Sequence, residues 1–217
     1  MKRFGTTLLF SFSCLVWSSV GNTTFQKVRN TKDQTFPSSG LIVAGPEIHR
    51  TKLLASLEEI AKIPIGSEIL RRISEAKHSV LLSDHPRALP ASGLTGYVAK
   101  PGNISNGIGD DAYIVMDFDM PEQGAHLVDG CEGLVEFTFV QTLFHELVHA
   151  AHIVKGSFNV RDPEFQAKLT ENKFRKEEAR AKGKKITQRC GSGNRQIWNG
   201  RNRQAYSFEF SYLFVLP

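Results

Sequence analysis

The stretch TFVQTLFHELVHAAH, residues 138–152, decides the expected fold. It carries the pattern H-E-x-x-H inside a segment that is apolar on nearly every side, which predicts a helix buried within a domain. Residues four apart share one face of an α-helix, so His145 and His149 can direct a ring nitrogen at one metal ion. Glu146 lies about 100° further round the helix, where its carboxylate can take a proton from a metal-bound water. The pattern predicts a zinc (Zn2+) hydrolase, because zinc lowers the pKa of its water to about 7.

The length of 217 residues, 41% of them hydrophobic and 23% charged, predicts one globular domain. No internal repeat is visible, and no apolar run is long enough to predict a membrane span in the mature protein. The net charge of +5 is modest. A stable complex with nucleic acid is therefore not expected from charge alone.

Residues 1–24 have the order of a secretion leader. Lys2 and Arg3 precede an apolar run from Leu8 to Trp17, and small residues follow. A cleaved signal peptide and an uncleaved secretion tag both fit this order, and a first core element is the alternative. Residues 25–40 are polar, end in Pro-Ser-Ser-Gly and predict a linker. This leaves residues 41–217 for the zinc-binding domain.

The remaining pattern predicts an α+β fold. Apolar residues recur at helical spacing over residues 50–78, with an interruption at Pro64, and again over residues 164–182, where Phe165, Leu169 and Phe174 suggest a narrow apolar stripe. Short apolar runs predict strands, of which Ala112 to Phe118 is the strongest. We expect a zincin-like domain in which the H-E-x-x-H helix lies against a small sheet. The strand Ala112 to Phe118 is the candidate for an exposed edge to which an extended substrate adds.

A catalytic zinc site requires a third protein ligand beside an open position. His152 lies a full turn further from His145 and is expected to be a neighbour of the site rather than a ligand. The downstream candidates are Glu164, Glu171, Glu177 and Glu178. Position alone does not choose among them, since all four can lie on one helix packed against the first.

The three cysteines, Cys14, Cys131 and Cys190, match no C-x-x-C motif. Three scattered cysteines favour free thiols. Pairing of Cys131 with Cys190 is the alternative if the chain is exported by an oxidising route.

Three short segments resemble a known family. The segment that begins with Glu177 and Glu178 reads E-E-x-R-x-x-G, and Arg203 and Tyr206 form an R-x-x-Y pair. Both are similar to motifs of the clostridial neurotoxin light chains, which also share the H-E-L-x-H-A start. In a chain of this size, the same three signatures mark the NleD-type zinc endopeptidases, effectors injected into host cells by type III secretion.

The resemblance implies a gluzincin-like site in which Glu178 is the third zinc ligand. It also implies that Glu177 steers a histidine or Arg203 from outside the ligand shell. Arg203 and Tyr206 are then expected to face the scissile carbonyl, with the Tyr206 hydroxyl donating to the oxyanion. The spacing from His149 to Glu178 is shorter than in the toxins, which keeps Glu171 as a rival ligand.

The leading interpretation is a secreted zinc metalloendopeptidase delivered into a host cell. By family analogy, its substrates are host signalling proteins, kinases among them. One alternative is another H-E-x-x-H peptidase tethered to nucleic acid by residues 173–203, which include eleven Lys or Arg. A second alternative, of a different class, is a basic binding protein whose H-E-x-x-H helix is not catalytic.

Overall fold

The computed structural model describes residues 40–84, 93–97, 102–116, 118, 127–190, 195–198 and 203–206. The predicted leader, residues 1–24, and the predicted linker up to residue 39 lie outside these ranges. Helices and strands both occur, which confirms the predicted α+β class. None of the helices in the described ranges is long and apolar enough to cross a bilayer.

A four-stranded sheet forms one layer of the fold. In sheet order its strands are β1 (Gly40–Val43), β2 (Ser79–Asp84), β4 (Ala112–Met116) and β3 (Gly93–Tyr97). The first three are parallel, whereas β3 runs antiparallel to β4 and places Thr95 opposite Ile114. Strand β3 is therefore at the edge of the sheet.

The prediction that Ala112 to Phe118 forms the exposed edge is wrong. Strand β4 lies inside the sheet, between β2 and β3, and all of its residues except Val115 are buried. A near-continuous apolar run is typical of a strand that is covered on both faces. The apolar run that makes β4 the strongest predicted strand therefore favours an interior position in the sheet. The edge strand β3 has the weaker sequence GLTGY, in which two glycines interrupt the pattern.

Two helices, α1 (Glu47–Ala61) and α2 (Pro64–Ser74), connect β1 to β2 and provide the crossover that a parallel pair requires. The predicted interruption at Pro64 is confirmed, because Pro64 is the first residue of α2, where a missing N–H is tolerated. The two helices approach closely at Gly66. A Cβ atom there would lie 2.0 Å from the carbonyl oxygen of Ile60.

Helix α3 (Phe139–Val154) is the predicted H-E-x-x-H helix. Thr138 and Gln141 form a capping box, in which each side chain accepts a hydrogen bond from the backbone N–H of the other residue. Thirteen of the sixteen residues in α3 are buried, because the helix contacts β3, β4 and the three other helices. The motif therefore lies in the protein core, as its apolar surroundings predict.

Helix α4 (Pro163–Ala181) packs against α3 with a charged face. The buried charged residues of α4 are Glu164, Lys168, Glu171, Arg175 and Glu178. The predicted apolar stripe is wrong, since Phe165 and Leu169 are 56% and 52% exposed and only Phe174 is buried. Buried charges are costly without partners, so this face of α4 must be paired.

Two hairpins complete the described chain: β5 (Leu127–Gly130) with β6 (Gly133–Glu136), and β7 (Arg195–Trp198) with β8 (Arg203–Tyr206). A disulfide joins Cys131, in the turn of the first hairpin, to Cys190. The favoured prediction of three free thiols is therefore wrong. An isolated backbone bridge between Gly130 and Arg189 brings the two cysteines together, with Cα atoms 4.7 Å apart.

Candidate metal centre

Two histidines on one face of α3 begin the site. His145 and His149 are 0% and 5% exposed, and their Nε2 atoms lie 3.1 Å apart. One helical turn separates the two residues, so both rings point at the same small volume. This is the arrangement that the H-E-x-x-H spacing predicts.

Glu164, in the first turn of α4, joins the two histidines. Its Oε2 lies 3.4 Å from His145 Nε2, and its Oε1 lies 3.3 Å from His149 Nε2. Local sequence fixes this position: the Asp162 side chain accepts a hydrogen bond from the Phe165 N–H, and Pro163 occupies the first helical position. The three ligand atoms come within 4.8 Å of one another, and no other such group occurs in the described ranges.

The spacing of these atoms fits a tetrahedral zinc. With bonds of about 2.0–2.1 Å, two ligands of a tetrahedral ion lie about 3.3–3.4 Å apart. The two Nε2 atoms are 3.1 Å apart, and each lies 3.3–3.4 Å from a different oxygen of Glu164, so these contacts are close to that value. Two imidazoles and one carboxylate also form the donor set of many catalytic zinc sites, in which the fourth position is open.

Glu178 and Glu177, the residues implied by the neurotoxin resemblance, have other partners. Glu178 accepts hydrogen bonds from Gln141 and Lys182, both at 2.9 Å, near the start of α3. Glu177 accepts from the backbone N–H of Ile65 at 2.9 Å, at the start of α2. Because the rise is about 1.5 Å per residue, Glu178 lies about 21 Å along α4 from Glu164. The structure thus brings Glu164 to the histidines and does not bring Glu178 there.

Glu171 contacts the other nitrogen of His145. Its Oε2 lies 2.9 Å from His145 Nδ1, on the side of the ring that faces away from Glu164. Burial alone raises the pKa of Glu171, but Arg189, His145 and Arg175 outweigh burial and hold that pKa well below its usual range. An ionised carboxylate on Nδ1 favours the tautomer that is protonated at Nδ1, in which the lone pair on Nε2 can bind a metal.

Two arginines complete this buried cluster. Arg175 Nε donates to Glu171 Oε1, and Arg189 Nη1 donates to Glu171 Oε2, both at 2.7 Å. Both guanidinium groups also lie over the ring of Phe137, 5.5 and 4.8 Å from its centroid. The negative charge of Glu171 is therefore balanced inside the core, which its complete burial requires.

Glu146 is held by the edge strand. Thr95 Oγ1, on β3, lies 2.7 Å from Glu146 Oε2 and 3.1 Å from the Glu146 carbonyl oxygen. A hydroxyl has one proton, and the shorter distance favours donation to the carboxylate. Glu146 is 3% exposed and lies outside the group formed by the two histidines and Glu164. Glu146 thus follows the ligand candidate His145 in α3 without being one of the three ligand candidates itself.

His152 lies outside this group and has its own contacts. Gln166 Nε2 and Ser157 Oγ lie 3.2 and 2.9 Å from its Nδ1, which must accept from the Gln166 amide. Burial, followed by the nearby His149 and Arg72, lowers the pKa of His152 to about 4. The ring is therefore neutral at physiological pH and joins the end of α3 to the start of α4.

Residues 38–189 match the model of the peptidase family M91, which is described as an effector protein. The match covers well over half of the chain and includes α3, α4 and every residue of the cluster described above. The chain belongs to the M91 effector family. The predicted membership of the NleD-type effector peptidases is thereby confirmed. No curated protein matches the chain.

Arg203 and Tyr206 follow the part of the chain that matches M91. Their backbone forms β8, in which Arg203 is opposite Trp198 and Tyr206 is opposite Arg195. Their side chains lie outside the described part of the structure. Their expected position opposite the scissile carbonyl therefore stays a prediction.

Three residues of the candidate metal centre were not predicted from the sequence: Thr95, Arg175 and Arg189. Thr95 stands in the short GLTGY run, which carries no catalytic signal of its own. Arg175 and Arg189 were counted within the basic segment 173–203, yet they are 2% and 4% exposed. A signal was present for Arg175, because Glu171 and Arg175 have the i,i+4 spacing of a helical ion pair.

Proposed function

We propose that this M91 protein is a zinc-dependent endopeptidase with a gluzincin-like ligand set of His145, His149 and Glu164. The observation that supports it most directly is the buried group of two histidine Nε2 atoms, 3.1 Å apart, that each lie 3.3–3.4 Å from an oxygen of the Glu164 carboxylate. Zinc bound there would polarise the substrate carbonyl and lower the pKa of a bound water to about 7. The chain's own residues then bind the substrate, orient the reacting groups and move protons.

Glu146 is the proposed general base and acid. It follows His145 in α3, and in this proposal its carboxylate accepts a proton from the attacking water and returns it to the leaving amine. The hydrogen bond from Thr95 holds one carboxylate oxygen and so orients the group. Proton transfer by a positioned side chain contributes about 10²–10⁴-fold to a rate.

The edge strand β3 is the proposed site of substrate binding. An extended peptide can pair with the outer edge of β3, since β4 occupies the inner edge. Thr95 lies on the same strand and contacts Glu146, so a paired peptide would pass close to the metal centre. Main-chain pairing of this kind accepts many side chains, which favours a protein substrate without identifying its sequence.

Arg203 and Tyr206 are proposed to stabilise the oxyanion, on the strength of the R-x-x-Y resemblance. Membership of an effector family supports delivery into a host cell, and we propose host signalling proteins, including kinases, as substrates. Burial of Arg175 and Arg189 removes two charges from the basic segment that the nucleic-acid alternative requires.

The test is metal-dependent cleavage of host proteins. Purified chain stripped of metal and then loaded with one equivalent of zinc is mixed with a host-cell lysate, and new protein N-termini are labelled and identified by mass spectrometry. We expect new termini with zinc, none with excess chelator, and none with Glu146→Gln, which keeps the ligands but loses the base. Glu132→Gln, an exposed change of the same type, should cleave as the natural chain does.

Zinc-loaded protein without cleavage of any host protein would contradict the peptidase proposal. Failure to bind zinc at all would contradict the metal site itself. Failure to bind zinc would favour the alternative of a basic binding protein with a non-catalytic H-E-x-x-H helix.

A further inference from the structure

Arg189 reaches the metal centre from outside both helices. Its Nη1 donates to Glu171 Oε2 at 2.7 Å, and the same oxygen lies 2.9 Å from His145 Nδ1. Glu171 is fully buried. One carboxylate oxygen thus contacts both the arginine and the histidine, so Arg189 helps to hold the oxygen that is the partner of His145.

Arg175, the other arginine at Glu171, is placed mainly by its own helix, although its Nη1 also donates to the Glu136 carbonyl at 2.9 Å. It is one turn from Glu171 on α4, and its Nε donates to Glu171 Oε1. Arg189 follows the end of α4 and must be placed by contacts with other parts of the chain. The position of Arg189 therefore depends more than that of Arg175 on contacts outside α4.

The segment that carries Arg189 is held against β5 and α4. The side chain of Asn172 donates to the Arg189 carbonyl at 2.9 Å and accepts from the Arg189 N–H at 2.8 Å. On the other side, Arg189 forms the backbone bridge with Gly130. The adjacent disulfide between Cys190 and Cys131 is the covalent part of this attachment. Both cysteines are exposed, whereas Arg189 is buried, so a reductant reaches the bond and not the arginine.

We propose that Arg189 is a positioning residue for the metal centre and that the Cys131–Cys190 disulfide keeps it against Glu171, so that metal affinity depends on that disulfide. The effect on metal affinity rests on the proposed zinc-dependent function, whereas the geometry rests on the contacts above. Reduction by a phosphine breaks the S–S bond with two electrons. Water supplies a proton to each sulfur and an oxygen to the phosphine, which leaves as its oxide. Arg189 then keeps only noncovalent contacts.

The experiment measures the zinc dissociation constant of the full chain by competition with a coloured chelator. Oxidised protein is compared with protein reduced by phosphine, which is removed under inert gas before the titration, at a temperature where circular dichroism shows both forms to be folded. We expect reduction to weaken zinc binding by about 10–100-fold, the usual effect of losing an outer partner of a metal ligand.

Variants separate the arginine from the disulfide. Arg189→Gln should weaken zinc binding of the oxidised protein to a similar extent, and reduction should then add little, because both changes act through one contact. Lys185→Gln is the matched control, since the Lys185–Glu132 ion pair joins the same two segments but is 81% and 83% exposed. It should bind zinc and respond to reduction as the natural chain does. Equal affinity of oxidised and reduced natural chain, or of Arg189→Gln and natural chain, would overturn the inference.

A metal-free readout keeps this result separate from the proposed function. If no form binds zinc, the zinc peptidase proposal fails, and the inference is then judged from ¹⁵N NMR of the His145 ring. Glu171 favours the tautomer protonated at Nδ1 in the oxidised protein. Reduction and Arg189→Gln should each lower the population of that tautomer, and Lys185→Gln should not. An unchanged tautomer would overturn the inference by itself.

Discussion

The geometry of the site and the neurotoxin resemblance imply different third ligands, and the geometry implies Glu164. We predict that Glu164→Ala weakens zinc binding by more than the roughly 10–100-fold that loss of an outer partner causes, because it removes a ligand atom. Glu178→Ala, the same change on the same helix, should leave zinc affinity within a few-fold, since Glu178 contacts Gln141 and Lys182. Chelator competition measures both. The reverse pattern would restore the ligand implied by the neurotoxin motif.

Thr95 tests whether the edge strand orients the base. Thr95→Val has nearly the same shape but removes the hydrogen bond to Glu146 Oε2. A hydrogen bond to a charged group contributes about 1.5–3 kcal/mol, so we expect kcat to fall by roughly tenfold or more, with zinc content unchanged. Thr95→Ser should restore turnover. Thr51→Val, which removes an exposed hydroxyl contact to Glu47, should have no effect on kcat.

Residues of the site differ in how far the sequence predicts them. His145, Glu146 and His149 follow from the helical period, because their mutual placement is local. Glu164 is one of the four candidate ligands, but no local pattern selects it, since its contact depends on how two helices meet. Arg189 required a contact between the chain after α4 and the hairpin β5–β6, which no local pattern encodes.

The antiparallel pairing of α3 with α4 can be predicted from the length of the connection between them. Only residues 155–162 connect the two helices, and a short connection makes consecutive helices antiparallel neighbours. The start of α4 must then lie level with the end of α3, which contains His149. Counting back along α3, His145 meets Glu171 and Gln141 meets Glu178. A short connection between α3 and α4 therefore favours Glu164, in the first turn of α4, as the partner of His149.

The close approach of α1 and α2 gives a test of packing that is independent of function. Gly66→Ala would place Cβ 2.0 Å from the Ile60 carbonyl oxygen, so backbone must move. We predict a loss of about 1–3 kcal/mol in the free energy of unfolding, measured by urea denaturation. Gly102→Ala is the control, because nothing lies within 4 Å of its added Cβ. An equal effect of the two changes would show that the helices do not meet at Gly66.

At the scale of the whole molecule, the buried residues of the described hydrophobic core come from the part of the sequence that begins at Val43 and ends at Phe174. We predict that a chain starting at residue 38 folds and binds zinc as the full chain does, because no core residue of the described ranges is removed. Thermal unfolding and zinc titration check this. Insoluble protein, or a markedly lower Tm, would mean that the apolar run Leu8 to Trp17 belongs to the core instead of a leader.

Helix α4 places a carboxylate on each nitrogen of the His145 ring: Glu164 on Nε2 and Glu171 on Nδ1. Seven residues make nearly two full turns, so the two glutamates stay on one face only while that count is kept. One inserted or deleted residue between them would turn Glu164 by about 100° away from the histidines. Natural length variation among relatives should therefore be confined to residues 155–162, before the helix begins, and be absent from residues 164–171. The rotational phase of α4 then determines which insertions and deletions leave the site intact.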